Sequence, residues 1–582
     1  MLISSKMTCV AEKTLSAAEA LVAAELKRLK IAAGTKVERP RHREQGDLAF
    51  ACFEAAKKSG KNPVELAKQI AESLKPELGK EFSSCEAVNG FVNFFFSQEL
   101  IAQAIAEALK QESAYGTGSE GKGKTAVIDY SSPNVGKPLH VGHIRSTILG
   151  AALKKLLESR GWKVVGSNYL GEAGTQVAML LVGLRKYGAQ NLSGEKALLD
   201  YYVRINKEVE SSEELQKQVR SVLEAMESGD KGVAAELKHL RELSMPALKK
   251  NYELLGVSFD EILFDTDFSV PAKPLVEEAV KKGIAFKEKT GETVAKLEEQ
   301  GLPNLVILRS NGTTLYSSRD LALAEWRWKT HEFDECVYVT GSDQNTHFRQ
   351  VFKILELLGR PYADRLKHIG FGLISLPEGK FSTREGRIVL LEDLLSAAAE
   401  EAKNEILERK TQTEERTGEE YSEKEVEETA RAVGVGATKF AFLRVGAEKN
   451  ILFDLKRVVS FEGDTGAYAQ YTLVRCFNIL RRAGKTKPVF KGGLAPEEQR
   501  LSRSLADYPL VVQGAAGSLA PHVVCDYLLR LCADFSSFYE ACPVLKAESS
   551  EAVARRLALV KATSIVLENG LGLLGISTPR RM

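Results

Sequence analysis

The stretch Asp129-Tyr-Ser-Ser-Pro-Asn134-Val-Gly-Lys137-Pro-Leu-His140-Val-Gly-His143-Ile-Arg145-Ser-Thr147 constrains the fold of this chain more than any other. Residues 125–130 are apolar and β-rich, Pro133 and Pro138 forbid a helix between them, and apolar residues from Ile144 to Leu157 recur at helical spacing. A strand therefore turns into a helix here, with His140 and His143 near the first helical turn. The unpaired amides and positive dipole end of such a turn favour phosphate, and imidazoles can donate hydrogen bonds to phosphate oxygens. Gly142 leaves room for a flat adenine ring against the backbone. His-x-Gly-His is too short to be decisive by itself, so the rest of the chain has to be consulted.

With 582 residues the chain should divide into about three to five domains, each able to bury a core. Its eight cysteines, at 9, 52, 85, 336, 476, 525, 532 and 542, form no Cys-x-x-Cys pair and have no histidine at zinc-ligand spacing. Reduced core thiols and no zinc are expected, and no bound metal site is indicated. There is no long apolar segment near Met1 and no 18-residue apolar run, so neither export nor membrane insertion is expected and the cytoplasm is the default location. The net charge of +2 says little, because a polyanion-binding protein can confine its basic residues to one face. One such run is Arg475 to Lys491, with six basic residues and no acid.

Residues 1–115 read as helices around a Gly-Asp turn and the aromatic strand Asn89-Gly-Phe-Val-Asn-Phe-Phe-Phe96, a small α+β domain. Gly116 to Lys124 reads as a linker. From 122 to 400, short strands (162–165, 306–308, 336–340, 369–374) alternate with amphipathic helices, the pattern of a doubly wound parallel α/β sheet, interrupted by a helical insertion at about 190–285. Residues 401–465 read as a helical connection and 466–582 as an all-α domain.

Further motifs fall at strand-to-helix junctions. Asn311-Gly-Thr-Thr-Leu-Tyr316-Ser-Ser-Arg319-Asp320 puts Tyr316 and Asp320 at the carboxyl edge of the sheet, where doubly wound folds bind ligands. Gly341-Ser-Asp343-Gln344-Asn-Thr-His347 follows another strand. Gly379-Lys380-Phe-Ser382-Thr383-Arg384-Glu385-Gly386-Arg387 is a basic, glycine-containing loop suited to a triphosphate. Tyr468, Tyr471 and Arg475 share one helix face, an arrangement that can stack on unpaired bases but by itself more often marks core packing.

Taken together these segments resemble the class I aminoacyl-tRNA synthetases, and within them the arginyl-tRNA synthetases. The resemblance implies a Rossmann-like catalytic domain, an N-terminal domain that contacts the tRNA elbow, and a C-terminal anticodon-binding domain. It implies ATP, brought in with Mg²⁺, L-arginine and tRNA(Arg) as substrates, a tRNA requirement already in the activation step, and a monomer. Carried over position by position, it assigns catalysis to His140, His143, Lys137 and Arg384. The ATP set is His140, Gly142, His143, Lys137, His347, Lys380, Ser382, Thr383 and Arg384. Asp129, Asn134, Tyr316, Asp320 and Gln344 would bind arginine, with Asp129 and Asp320 facing the guanidinium fork. Asn93, Phe96, Gln98, Tyr468, Tyr471 and Arg475 would contact tRNA. The chain departs from the family pattern at Tyr169, Glu172, Ala173, Asn311 and Glu385, where His, Asp, Trp, Asp and Lys are usual.

Overall fold

The computed structural model describes residues 9–40, 45–188, 195–375, 390–417 and 422–582. In chain order the strands are β1 (Val37–Glu38), β2 (Leu48–Ala51), β3 (Phe82–Val88), β4 (Phe91–Phe96), β5 (Thr125–Asp129), β6 (Lys163–Leu170) and β7 (Glu261–Phe264). There follow β8 (Ala285–Lys287), β9 (Thr293–Ala295), β10 (Leu305–Leu308), β11 (Glu335–Gly341), β12 (Leu366–Phe371), β13 (Ile374–Ser375) and β14 (Ile451–Leu452).

The central sheet has the order β12-β11-β5-β6-β7, and every neighbouring pair is parallel. Side chains of β5 alternate between its two faces as the pleat requires: Ala126 and Ile128 join one core cluster, Val127 the other. Both faces are covered by helices, which explains the continuous apolar run at 126–128. The chain winds from β5 outward through β6 and β7, then returns to β11 and β12 on the other side of β5. This reversal opens a crevice between the carboxyl ends of β5 and β11, the place where doubly wound sheets receive ligands.

Several expected boundaries move. Helices Glu195–Ser211, Glu213–Ser228 and Lys231–Leu255 form the insertion, but it ends before β7, which is an edge strand of the central sheet rather than part of the insertion. β10, expected in the parallel sheet, lies in a separate antiparallel sheet with β9 and β8. Both errors arise because a four-residue apolar strand carries no mark of the sheet it joins. The glycine-rich stretch at 116–124 is not a free linker: Arg160 donates to the Gly116 carbonyl at 2.9 Å and pairs with Glu120 and Glu12.

In the N-terminal domain β1-β2-β4-β3 form an antiparallel sheet whose core also takes in Ala506 and Leu510 from the C-terminal helix Pro496–Gly517. Tyr115 donates to the Leu505 carbonyl at 3.1 Å and Arg39 to Asp507 at 2.6 Å, so the two ends of the chain are docked together. Beyond residue 455 the only regular elements among the described residues are helices, with Gly466–Ala483, Pro496–Gly517, His522–Ala541 and Ser550–Leu573 as the principal ones. No helix among the described residues is long and apolar enough to cross a membrane.

Candidate active site

The turn after β5 is strained: Ser131 and Ser132 both have positive φ, at 75° and 47°. Backbone and side chains hold it there. Ser131 N–H donates to Ser146 Oγ at 3.0 Å, Ser132 N–H donates to Asn168 Oδ1 at 3.1 Å, and Asn168 is fixed in turn by Tyr252 at 3.0 Å. Neither Ser131 nor Asn168 stood out in the sequence, since serine and asparagine at loop ends are commonplace.

His140 caps the helix Val141–Ser159 and His143 occupies its third position. His140 Nδ1 accepts from Gly142 N–H at 3.1 Å, and His143 Nδ1 accepts from His140 N–H at 3.4 Å. An imidazole whose Nδ1 accepts carries its proton on Nε2, so both rings have an Nε2–H donor. Burial and the nearby Lys137 cation push His140 down to about 4, and burial with His140 and Lys137 pushes His143 well below the ordinary range. Two neutral donors, their ring centroids 4.0 Å apart, thus stand at a helix N-terminus beside a lysine. Gly142 also has a packing role. A Cβ there would meet His140 Cε1 at 2.8 Å, so its bareness accommodates the His140 ring. From the same helix, buried Arg145 donates to the carbonyls of Gly372 at 2.6 Å and Gly446 at 3.1 Å, tying the helix to the segments after β12 and after helix Glu423–Arg444.

Across the crevice, Tyr316 begins a helix and is 56% exposed, while Asp320 lies one turn on. His347, expected near the nucleotide, is buried beside these two: its Nε2 is 2.6 Å from Asp320 Oδ2 and its ring centroid is 4.8 Å from that of Tyr316. Gln344 closes the short turn after β11 and donates to Asp343 at 3.1 Å. Asn134, exposed, bridges to Gly171 and donates to Gln176 at 3.4 Å.

Asp129 differs from the expectation. It is buried at the end of β5, with Arg327 Nη2 at 3.0 Å and Ser132 Oγ at 3.1 Å. Burial raises its pKa while Arg327 opposes the rise. The guanidinium it faces is therefore the protein's own. A second carboxylate that the sequence did not single out, Asp265, lies 3.4 Å from Arg319 and accepts the amides of Glu172 and Ala173 at 2.9 and 3.0 Å. Asp320 adds to the raised pKa of Asp129, Asp265 and Tyr169, behind burial in each case, so three carboxylates gather at this corner, two of them paired with Arg327 and Arg319. Glu172 is engaged with Arg241, 2.8 Å from its Nε, and with Thr266. Lys380, Ser382, Thr383, Arg384 and Glu385 lie outside the described residues.

The RNA-facing candidates also divide. Asn93 and Phe96 are each only 2% exposed, and Phe96 packs on Phe82, whereas Gln98 is exposed at a helix start. Phe91 of that sheet and Phe53, at the start of the helix that follows β2, are exposed and meet edge to face at 5.2 Å. Tyr468 and Tyr471 are half-buried; Tyr468 reaches Ser536 Oγ at 3.5 Å and Tyr471 stacks on Phe461 at 6.0 Å. Arg475 lies between two rings, 5.2 Å from Tyr471 and 5.1 Å from the exposed Tyr539.

Comparison with known proteins agrees with this layout. The family model described as tRNA synthetases class I (R), catalytic domain, matches residues 104–455, and that of the arginyl tRNA synthetase N terminal domain matches residues 16–96. The chain belongs to the arginyl-tRNA synthetase family. A DALR anticodon binding domain matches residues 469–582, so the helical C-terminus carries the family's third part. The arginine–tRNA ligase of Clostridioides difficile (strain 630) is 37% identical over 553 residues, covering 94% of this chain and 95% of its own. That of Clostridium perfringens (strain 13 / Type A) is 36% identical over 554 residues, covering 94% and 96%. Among solved structures, Thermus thermophilus arginyl-tRNA synthetase superposes with a TM-score of 0.81 at 27% identity, over 98% of this chain and 100% of that one. The Plasmodium falciparum arginyl-tRNA synthetase shares the fold at the same TM-score with 21% identity, both chains being covered in full.

Proposed function

We propose that this protein joins L-arginine to tRNA(Arg) at the expense of ATP, in two steps at the crevice between β5 and β11. The arginine carboxylate attacks the α-phosphorus of ATP, and pyrophosphate leaves with the bond to the β-phosphate oxygen broken. A terminal ribose 2′-hydroxyl of the tRNA then attacks the carbonyl carbon of the adenylate. The ester bond forms as AMP leaves, and the hydroxyl proton is lost.

The observation that carries this reading is the pair of neutral histidines with Nε2–H donors at a helix N-terminus, set across the crevice from an acidic corner. His140 and His143 donate to phosphate oxygens as negative charge shifts onto them, and Lys137 supplies a full charge. Mg²⁺ arrives on the triphosphate as part of that substrate. Asp320 holds the guanidinium, because its five N–H donors match a carboxylate fork where a lysine ammonium would not. Tyr316 closes the pocket over the aliphatic stem, and Asn134 and Gln344 orient the α-amino and carboxylate groups. We read the enzyme as a cytoplasmic monomer, since one chain supplies both the crevice and the RNA-facing domains, and as needing tRNA for the first step. ATP–pyrophosphate exchange measured across a panel of amino acids, with and without tRNA, tests the reading. Exchange with arginine alone among them, dependent on tRNA, is expected; exchange with a different amino acid would overturn it.

A further inference from the structure

Tyr169 stands near the carboxyl end of β6, and its hydroxyl group is the unexplained feature of the acidic corner. The oxygen is buried and has no hydrogen-bond partner among the described residues. A buried hydroxyl without a partner costs free energy and calls for a specific explanation in a folded protein. The ring itself is well packed, edge to face with Phe268 at 5.8 Å, against the apolar cluster on one face of the sheet.

Strand register and helix pitch locate the hydroxyl. Ser167, two residues earlier in β6 and on the same face, accepts from Arg327 Nη2 at 3.0 Å. From that contact Tyr169 lies about 7 Å along the strand towards its carboxyl end. Asp320 lies seven residues before Arg327 on the same face of the helix Tyr316–His331, about 10 Å along its axis. Asp320 meets His347 near the start of the helix that follows β11, so this step also leads to the carboxyl edge of the sheet. Tyr169 and Asp320 thus flank one space, the first from the sheet and the second from the helix. The electrostatics agree: after burial, Asp320 is the strongest influence raising the pKa of the Tyr169 phenol.

We propose that Tyr169 is a further specificity-determining residue for arginine, its oxygen accepting an N–H of the bound guanidinium while its own O–H donates to the Asp320 carboxylate. The inference rests on the reading of the preceding section and adds to it a residue at which this chain departs from the family pattern. A guanidinium brings five N–H donors, and a carboxylate fork accepts two of them. The neighbouring carboxylates are already engaged, Asp129 with Arg327, and Asp265 with Arg319 and two backbone amides. Asp320 shares one of its oxygens with His347. A further acceptor is therefore needed, and a phenol supplies one without adding charge to a corner that already holds three carboxylates. A hydroxyl donates and accepts at once, so the same group can bridge the guanidinium and Asp320. A lysine ammonium held at Asp320 is too compact to reach it and would leave the phenol unpaired, which favours arginine over lysine.

The test is calorimetric binding of L-arginine to the full-length protein, with tRNA present and ATP absent, for the wild type and for Tyr169→Phe. The substitution keeps the ring against Phe268 and removes only the hydroxyl. It should raise Kd for arginine about tenfold, the scale of one hydrogen bond to a charged group. The ligand-free variant should unfold at a Tm no lower than the wild type, because the hydroxyl has no protein partner to lose. In arginine charging the loss should fall on KM by the same factor and not on kcat. A Tyr169→Phe protein that binds arginine as tightly as the wild type, or one whose Tm and kcat fall while Kd is kept, would overturn the assignment and leave the arginine reading standing. A wild type that binds no arginine would overturn that reading, and this inference with it.

Discussion

His347 Nε2 stands 2.6 Å from Asp320 Oδ2, joining the helix that starts at Tyr316 to the one that starts at Asn345. The contact fixes a carboxylate that would otherwise rotate freely about its last torsion, and it aligns two sequence motifs on one pocket. His347 is thus a positioning residue. His347→Leu should raise KM for arginine about tenfold with kcat nearly kept, the equivalent of one hydrogen bond to a charged group, and His347→Gln should recover most of the loss. A fall in kcat with KM unchanged would speak against this role.

Asp320→Ala removes the guanidinium's carboxylate itself. Loss of a charge-assisted, two-point contact of about 3 kcal/mol should lower kcat/KM for arginine by at least about a hundredfold while leaving tRNA affinity unchanged. Steady-state charging and filter binding on one preparation separate the two effects, and full activity in the variant would remove Asp320 from the pocket.

The Asp129–Arg327 pair makes the opposite prediction. Both side chains are buried, so Asp129→Asn leaves Arg327 charged and uncompensated, and should lower unfolding free energy by about 3 kcal/mol or more. Urea denaturation reports this directly. KM for arginine in the folded enzyme should shift little; a large rise in KM with stability intact would make Asp129 a guanidinium ligand after all.

Acidification should destabilise the fold between about pH 6.5 and pH 4. His140 and His368 are pushed down to about 4 by burial, below the ordinary imidazole value. In that window the unfolded chain takes up protons that the folded chain refuses, so stability falls as pH falls and is insensitive to these groups above the window. Asp129 and Asp265, raised by burial, act in the opposite sense towards its lower end. His368→Gln, which keeps a side-chain partner for Thr340, should flatten the drop in Tm on going from pH 6.5 to 4. An unchanged slope would contradict the assignment.

On the RNA side, Arg475→Ala should weaken tRNA binding and reduce the slope of log affinity against log salt by about one, as expected for a single phosphate contact. Phe96→Ala, in contrast, should unfold or loosen the N-terminal domain at a loss of about 3 kcal/mol or more, because the ring is buried against Phe82. Gln98→Ala, at an exposed helix start, should lower affinity with no change in Tm.

What the sequence made legible was local. The strand into β5, the turn broken by two prolines and the helix carrying His140 and His143 follow from apolar spacing and backbone chemistry, and the junctions at Tyr316 and Gln344 follow the same rule. What it could not show was pairing between distant side chains. Asp129 and Arg327 are far apart in sequence, so nothing local announced that the arginine sought for Asp129 was already in the protein. The same holds for His347, assigned to ATP through the resemblance, whose contact with Asp320 joins residues 27 apart in the chain. Asn93 and Phe96 were assigned to tRNA through the resemblance, yet although they point to opposite faces of β4 both are buried, Phe96 against Phe82 of β3. Gly142 was read as room for a flat base, and the structure adds that a side chain there would meet the neighbouring His140 ring, a crowding that one letter of sequence does not reveal.

The most direct test of the central claim is charging of total tRNA with labelled arginine by the purified protein, in the presence of ATP and Mg²⁺ and with each component omitted in turn. Arginyl-tRNA that accumulates only when every component is present is the predicted result. Tight tRNA binding with no arginine attached under any condition would contradict it, and would leave a protein with the fold of a synthetase but not its chemistry.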